Sequence, residues 1–434
     1  MILYTTSEQI NMKRFVLLTL LLFVNFLSAQ NFNEFFEDKT LRLDYIFGGN
    51  SENQHAFLDE IIQYENWYGR KVNLNKVLLE GNGQIRVKDA KSKQIIYKQS
   101  FSTLFHEWLT LEEAKNENKS FENTFLVPFP KNEVFVEVVT FDKNRKEVVL
   151  LNHKVNPKDI LIKKLPKSSN EKVKVIQKAK TENPIYIAIV AEGFTKEEMP
   201  LFISKAKDVA EELFEHKAFA DHEDAFSIVA VETVSQESGV SNPHTNLWKN
   251  SVLQSNFGTF YSERYLTTSR IKNLHNQLAG TPYDHIIILA NTDIYGGGGI
   301  FNTYTLTTSN HKKFAPVVVH EFGHSFAGLA DEYFYAVDVF ENTGTNQIEP
   351  WEQNITSLAN FDLKWKNMLQ KETPIPTETK DLNKYRIGVY EGLEGNGLYI
   401  PSHDCRMKTN EAKDFCSVCE RAIEQLIEFY TKQQ

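Results

Sequence analysis

Residues 320–333 read His320-Glu321-Phe322-Gly323-His324-Ser325-Phe326-Ala327-Gly328-Leu329-Ala330-Asp331-Glu332-Tyr333. Two histidines four residues apart lie one turn apart on the same face of a helix, so their imidazoles can converge on one Zn²⁺ while Glu321 stands beside them. A catalytic zinc keeps three protein ligands and an open position for water, and a neighbouring carboxylate can take that water's proton and pass it to a leaving amine. The helix is well signalled. Pro316 suits its first turn, Val317, Val318 and Val319 form an apolar run that reads as buried, and Gly328 reads as its C-terminal stop, predicting a helix from about Ala315 to Ala327.

A glycine that lets the chain leave the helix, followed three residues on by an oxygen ligand, brings Asp331 back toward the histidines as the third ligand. Glu332 is the nearest rival, or a carboxylate that supports the site without touching the ion. A ligand from further along the chain would be Asp338 or Glu341.

Upstream, Gly296 to Gly299 lack phosphate-binding spacing and lead into Ile300–Leu306, which reads as an edge strand just before the helix. Such an edge can take an extended peptide as a further strand. Further back the pattern alternates: a buried strand near Ile185–Ala191, a helix near Lys196–His216, a strand near Phe226–Val234, a helix near Tyr261–Leu278 and a strand near His285–Ala290. This predicts a mixed sheet carrying helices, in a catalytic domain over 184–434. Residues 166–183 are polar and read as a linker. Ahead of it, 31–165 shows short strands: Leu41–Phe47, Lys76–Leu79, Gln84–Lys88, Gln94–Phe101, Thr124–Pro128, Glu133–Thr140 and Lys146–Asn152. Their alternation and turn spacing predict a β-sandwich, making the chain α+β. Trp67, Tyr68, Phe105 and Trp108 read as sandwich core or edge rather than a sugar platform.

At 434 residues there is room for two cores. The formal charge is −9, which argues against a nucleic-acid partner. Met12-Lys13-Arg14, an apolar run from Phe15 to Leu27 and Ser28-Ala29 have the layout of a secretory signal, giving a leader at 1–29 with residues 1–11 as an upstream extension. The run is too short for a membrane span. The chain is thus expected to be exported, secreted or periplasmic, with no integral span after cleavage. The only cysteines are Cys405, Cys416 and Cys419. In an exported chain a disulfide of Cys405 with Cys416 or Cys419 is expected. The competing structural zinc site lacks a fourth ligand in the local sequence other than His403.

The stretch His320–Tyr333 closely resembles the signature of the immunoglobulin A peptidase family of zinc metallopeptidases. Ile187–Thr195, Glu237-Ser238-Gly239-Val240, Tyr295–Gly299, Cys405-Arg406-Met407 and Phe415–Cys419 match the same family. The resemblance implies a zincin, metzincin-like catalytic domain. In it His320, His324 and Asp331 hold one catalytic Zn²⁺, Glu321 is the general base, and Met407 occupies a methionine turn beneath the metal. It also implies a β-sandwich ahead of the peptidase domain. The expected activity is endopeptidase cleavage of a protein or glycoprotein substrate. Two rivals are a catalytically silent glycoprotein or host-surface binding protein on the same scaffold, and a zinc amidase acting on a non-peptide substrate.

Overall fold

The computed structural model describes residues 31–165, 170–333, 348–392 and 397–434. The leader read at 1–29 and the rival ligands Asp338 and Glu341 lie outside these residues. The molecule is mixed α/β, with its sheets dividing at about residue 165.

The N-terminal half contains β1 (Phe36–Gly49), β2 (Gln54–Tyr64), β3 (Gly83–Asp89), β4 (Ile95–Phe101), helix α1 (Leu104–Trp108), β5 (Lys119–Pro130), β6 (Val134–Phe141), β7 (Glu147–Val155) and the two-residue β8 (Lys163–Lys164). They form two four-stranded sheets, β5-β1-β2-β8 and β4-β3-β6-β7. Apart from the short parallel pairing of β8, every pair is antiparallel. Inward residues of both sheets, among them Leu41, Leu43, Tyr45, Ile85, Val87, Val136 and Val138, share one core. Two faces closing on one apolar layer are what the alternating sequence predicts. Trp67, Phe105 and Trp108 are buried in or against that layer, as expected of core aromatics. Two expectations fail here. Lys76–Leu79 is a loop, and the eleven-residue β2 was not anticipated. Phe57 and Leu58 of β2 are exposed, so the strand lacks a clean inside–outside alternation for the sequence to reveal.

The second half is built on a six-stranded sheet: β9 (Val173–Gln177), β10 (Ile185–Glu192), β11 (Phe226–Val231), β12 (His285–Ala290), β13 (Gly297–Ile300) and β14 (Tyr304–Thr308), in the order β13-β14-β12-β10-β11-β9. The four central strands are parallel and both edges antiparallel. β12 is buried at every residue and β10 at all but Tyr186, which accounts for their near-continuous apolar sequences. On the sheet lie α2 (Met199–Glu215), α3 (Ile271–Gln277), α4 (Phe314–Ala327) and α5 (Ser417–Thr431). β9 falls inside the stretch read as linker and completes the sheet edge. The helix expected at 261–278 forms only over Ile271–Gln277, because Phe260 and Tyr261 take left-handed backbone angles and the following segment pairs with residues 256–259 and with β13. No helix of the described residues is long and apolar enough to cross a membrane.

Candidate metal centre

α4 carries His320, Glu321 and His324, and its bounds match the sequence reading to within one residue. Pro316 sits in the first turn, where its missing N–H leaves no bond unmade. Gly328 ends the helix at φ 57°, ψ 32°, the left-handed cap that glycine adopts at least cost. Its N–H returns to the His324 carbonyl at 3.0 Å, and the Leu329 N–H to the Gly323 carbonyl at 3.2 Å.

That reversal brings Asp331 against the helix. Its Oδ1 lies 3.0 Å from His320 Nε2 and 3.2 Å from His324 Nε2, and the two Nε2 atoms are 3.0 Å apart. Three donors about 2.0–2.2 Å from one ion in tetrahedral geometry are roughly 3.3–3.6 Å from one another, so the triangle is close to the size a zinc ion needs. The ring orientations agree. His320 Nδ1 is 3.0 Å from the Arg406 carbonyl, and His324 Nδ1 is 2.6 Å from the Leu329 carbonyl. A carbonyl only accepts, so each Nδ1 carries a proton, which leaves Nε2, the nitrogen facing Asp331, as the atom that would bind an ion once it has lost its own proton. Tyr333 stacks on His320 at 5.9 Å between ring centres.

Glu332, the rival carboxylate, faces the opposite way. It is fully buried, with Oε1 accepting from Asn354 Nδ2 at 3.0 Å and from the Cys419 thiol at 3.1 Å. Asn354 also bonds the Ala330 N–H and carbonyl, both at 2.8 Å, and so holds the turn that presents Asp331.

Met407 is fully buried beneath the middle of α4. A Cβ on Gly323 would come within 2.7 Å of its sulfur, so the glycine in the histidine motif is what lets Met407 fit. The Glu332 N–H donates to the Met407 carbonyl at 2.9 Å. Cys405, Cys416 and Cys419 are all buried free thiols, with 3.7 Å between the sulfurs of Cys405 and Cys419. The disulfide expected of Cys405 with Cys416 or Cys419 is therefore not formed, since bonded sulfurs are about 2.05 Å apart.

The glycine run is an edge strand in its own right. A Cβ at Gly297 would sit 2.8 Å from Glu321 Oε1, and one at Gly299 would be 2.8 Å from His324 Cβ, so the absence of side chains lets α4 lie directly on β13. Its outer edge, expected to be open, is partly taken. Gly297 bonds both the Arg264 carbonyl, at 3.2 Å, and the Leu266 N–H, at 3.3 Å.

Burial raises the Glu321 carboxyl above its ordinary pKa, against the pull of His320 and His324. Burial works against a charged His324, but Asp331 and Glu321 outweigh it and lift its pKa to about 9. Sequence reasoning missed Glu107 and Tyr265. The Tyr265 hydroxyl donates to Glu107 from the N-terminal half, and burial raises the Glu107 pKa to about 7 while the charges of His324, Glu321 and Asp331 also reach it. No local signal marks Glu107, which reaches this neighbourhood only because the two halves pack together.

A sheet-borne helix that brings two imidazoles and a carboxylate to one point is the arrangement of a metal-dependent hydrolase. Family comparison gives the class more narrowly: residues 173–387 match the model described as IgA Peptidase M64, and residues 31–151 match Peptidase M64 N-terminus. The chain belongs to this peptidase family, whose members are metallopeptidases. Comparison with curated proteins finds no match.

Proposed function

We propose that the chain is an exported zinc-dependent endopeptidase of the zincin, metzincin-like type, cleaving peptide bonds in protein or glycoprotein substrates. His320, His324 and Asp331 are its metal ligands, Glu321 its general base, and Met407 the methionine turn beneath the metal. The observation that carries this reading is the triangle of His320 Nε2, His324 Nε2 and Asp331 Oδ1, with both imidazoles oriented by backbone carbonyls. Zinc held there supplies Lewis acidity, polarising a carbonyl and lowering the pKa of water to about 7.

The chain's own groups do the rest. Glu321 has its carboxylate beside Gly297, where no side chain competes for the space, and its backbone carbonyl accepts from Thr305 Oγ1 at 3.2 Å. A carboxyl with a raised pKa is a better proton acceptor than an exposed one, which suits Glu321 to take the proton of water and return it to the leaving amine. Because the 264–266 segment covers β13 at Gly297, an extended substrate would engage the edge beyond that residue. Export rests on the basic, apolar and small-residue sequence of 12–29.

Glu321→Gln should retain bound metal and the fold while losing at least about 100-fold in turnover of a peptide library, because the base is gone and the ligands remain. His320→Ala should lose the metal along with the activity. Undiminished cleavage by purified Glu321→Gln would refute the assignment.

A further inference from the structure

Behind the turn that presents Asp331 lies a second cluster of ligand-type side chains. Glu332, Cys405, Cys416 and Cys419 come from three separate stretches of chain, are all buried, and place one donor atom each within 4.8 Å of all the others. We propose that these four residues hold a structural, thiolate-bound divalent ion of the zinc class, distinct from the ion at His320 and His324.

The spacing is compatible with such an ion. Sulfurs about 2.3 Å from a tetrahedral zinc lie roughly 3.8 Å apart, and the sulfurs of Cys405 and Cys419 are 3.7 Å apart. Glu332 supplies the fourth donor missing from the cysteine segment. One of its oxygens is shared between Asn354 and Cys419, while the other, Oε2, is fully buried and has no hydrogen-bond partner among the described residues. An unpartnered buried oxygen on a carboxylate that clusters with three cysteines is costly for the charged group unless a cation meets it.

Burial alone disfavours charged sulfur, and several neighbouring groups work against that cost. The Cys416 N–H points at the Cys405 sulfur at 3.3 Å. Cys416 is the N-cap of the fifteen-residue α5 and Cys419 lies in its first turn, where the helix dipole favours negative sulfur. Lys408 Nζ, bonded to the Glu332 carbonyl at 3.1 Å, adds positive charge at the rim. Soft thiolates select zinc-class ions over magnesium or calcium, and a site closed by four protein ligands has no open position for chemistry.

The ion would have a definite mechanical task. Asp331 precedes Glu332, while Cys405 precedes Arg406, whose carbonyl orients His320, and Met407, which underlies Gly323. Binding the two segments to α5 fixes the third ligand and the floor of the catalytic centre together.

Metal analysis tests this directly. Wild type purified without chelator should carry two zinc ions per chain, and the His320→Ala/His324→Ala variant one. Cobalt exchanged into that variant should give near-ultraviolet thiolate-to-metal charge-transfer bands, which a His/His/Asp site cannot produce. The Cys416→Ser/Cys419→Ser variant should lose those bands and one ion. If it fails to fold, the cobalt spectrum of the histidine variant, whose cysteines are intact, still decides. A histidine variant with no bound metal, with three thiols that react at once with a thiol reagent or an intact mass two hydrogens short, would overturn the assignment. Inactive but doubly loaded wild type would leave it standing and count only against the peptidase reading.

Discussion

His324 lies between two acids, and its charge in the metal-free protein follows from that. With a pKa near 9, set by Asp331 and Glu321 against the cost of burial, it holds a proton at neutral pH. The sign of the linkage is fixed: a folded-state pKa above the unfolded value of about 6.5 stabilises the metal-free fold below that value, and the contribution is lost as pH rises through about 9. A zinc ligand must be neutral, so loading this site expels the proton. The His324-dependent part of zinc affinity should therefore fall about tenfold per pH unit below 9, measured by chelator competition against His324→Ala. In the metal-free protein the His324 ring proton should titrate near pH 9 by NMR. A flat affinity between pH 6 and 8 would contradict the arrangement. At this scale the sequence spoke clearly for the histidine pair and weakly for the acids. Asp331 and Glu332 are neighbours of like chemistry, and only the path of the chain after Gly328 turns one toward the imidazoles and the other toward the cysteines.

α4 was legible as an element because a proline, an apolar run and a capping glycine mark both its ends. β13 was not, since a run of glycines has no side chains to alternate and reads equally as a turn. Its meaning appears only against the helix. An alanine methyl at Gly299 would run into the Glu321 backbone carbonyl and the His324 Cβ, groups that cannot rotate away. Gly299→Ala should thus destabilise the fold by about 1–3 kcal/mol and push α4 off its seat, lowering peptide cleavage more than tenfold. Urea unfolding and turnover on one preparation check both parts. A variant as stable and active as wild type would show that the close approach of helix and strand is not needed.

Across the whole molecule, the sequence marked a polar boundary near residue 166 but could not reveal how the halves adhere. Arg42 is fully buried in the N-terminal half. It bonds Asp44 through two nitrogens at 2.8 Å and reaches across to Asn276 Oδ1 at 2.7 Å and the Lys272 carbonyl at 3.0 Å. The loop after β13 is pinned to β4 and its exit: Ser102 N–H to the Phe301 carbonyl at 2.9 Å, and Asn302 to the Ser100 carbonyl at 2.9 Å. Asn73 bonds the Phe429 and Lys432 carbonyls at the end of α5, both at 2.8 Å. Leu104 belongs to the same apolar cluster as Ile288, Ile300 and Tyr304, with Phe121 and Leu126 packed against it. A sandwich that merely delivered a large substrate would leave the catalytic half self-sufficient, so its deletion would spare cleavage of short peptides. Here, removing residues 31–165 would strip apolar cover from the catalytic core and leave these polar groups without partners, each costing about 1–3 kcal/mol if it stays buried. Independent motion of two units is expected only where little apolar surface joins them. The truncated chain should accordingly unfold at lower urea than the intact protein and lose cleavage of a short peptide and of a whole protein in parallel. Full peptide turnover with selective loss on the protein substrate would instead make the N-terminal half a substrate-binding accessory.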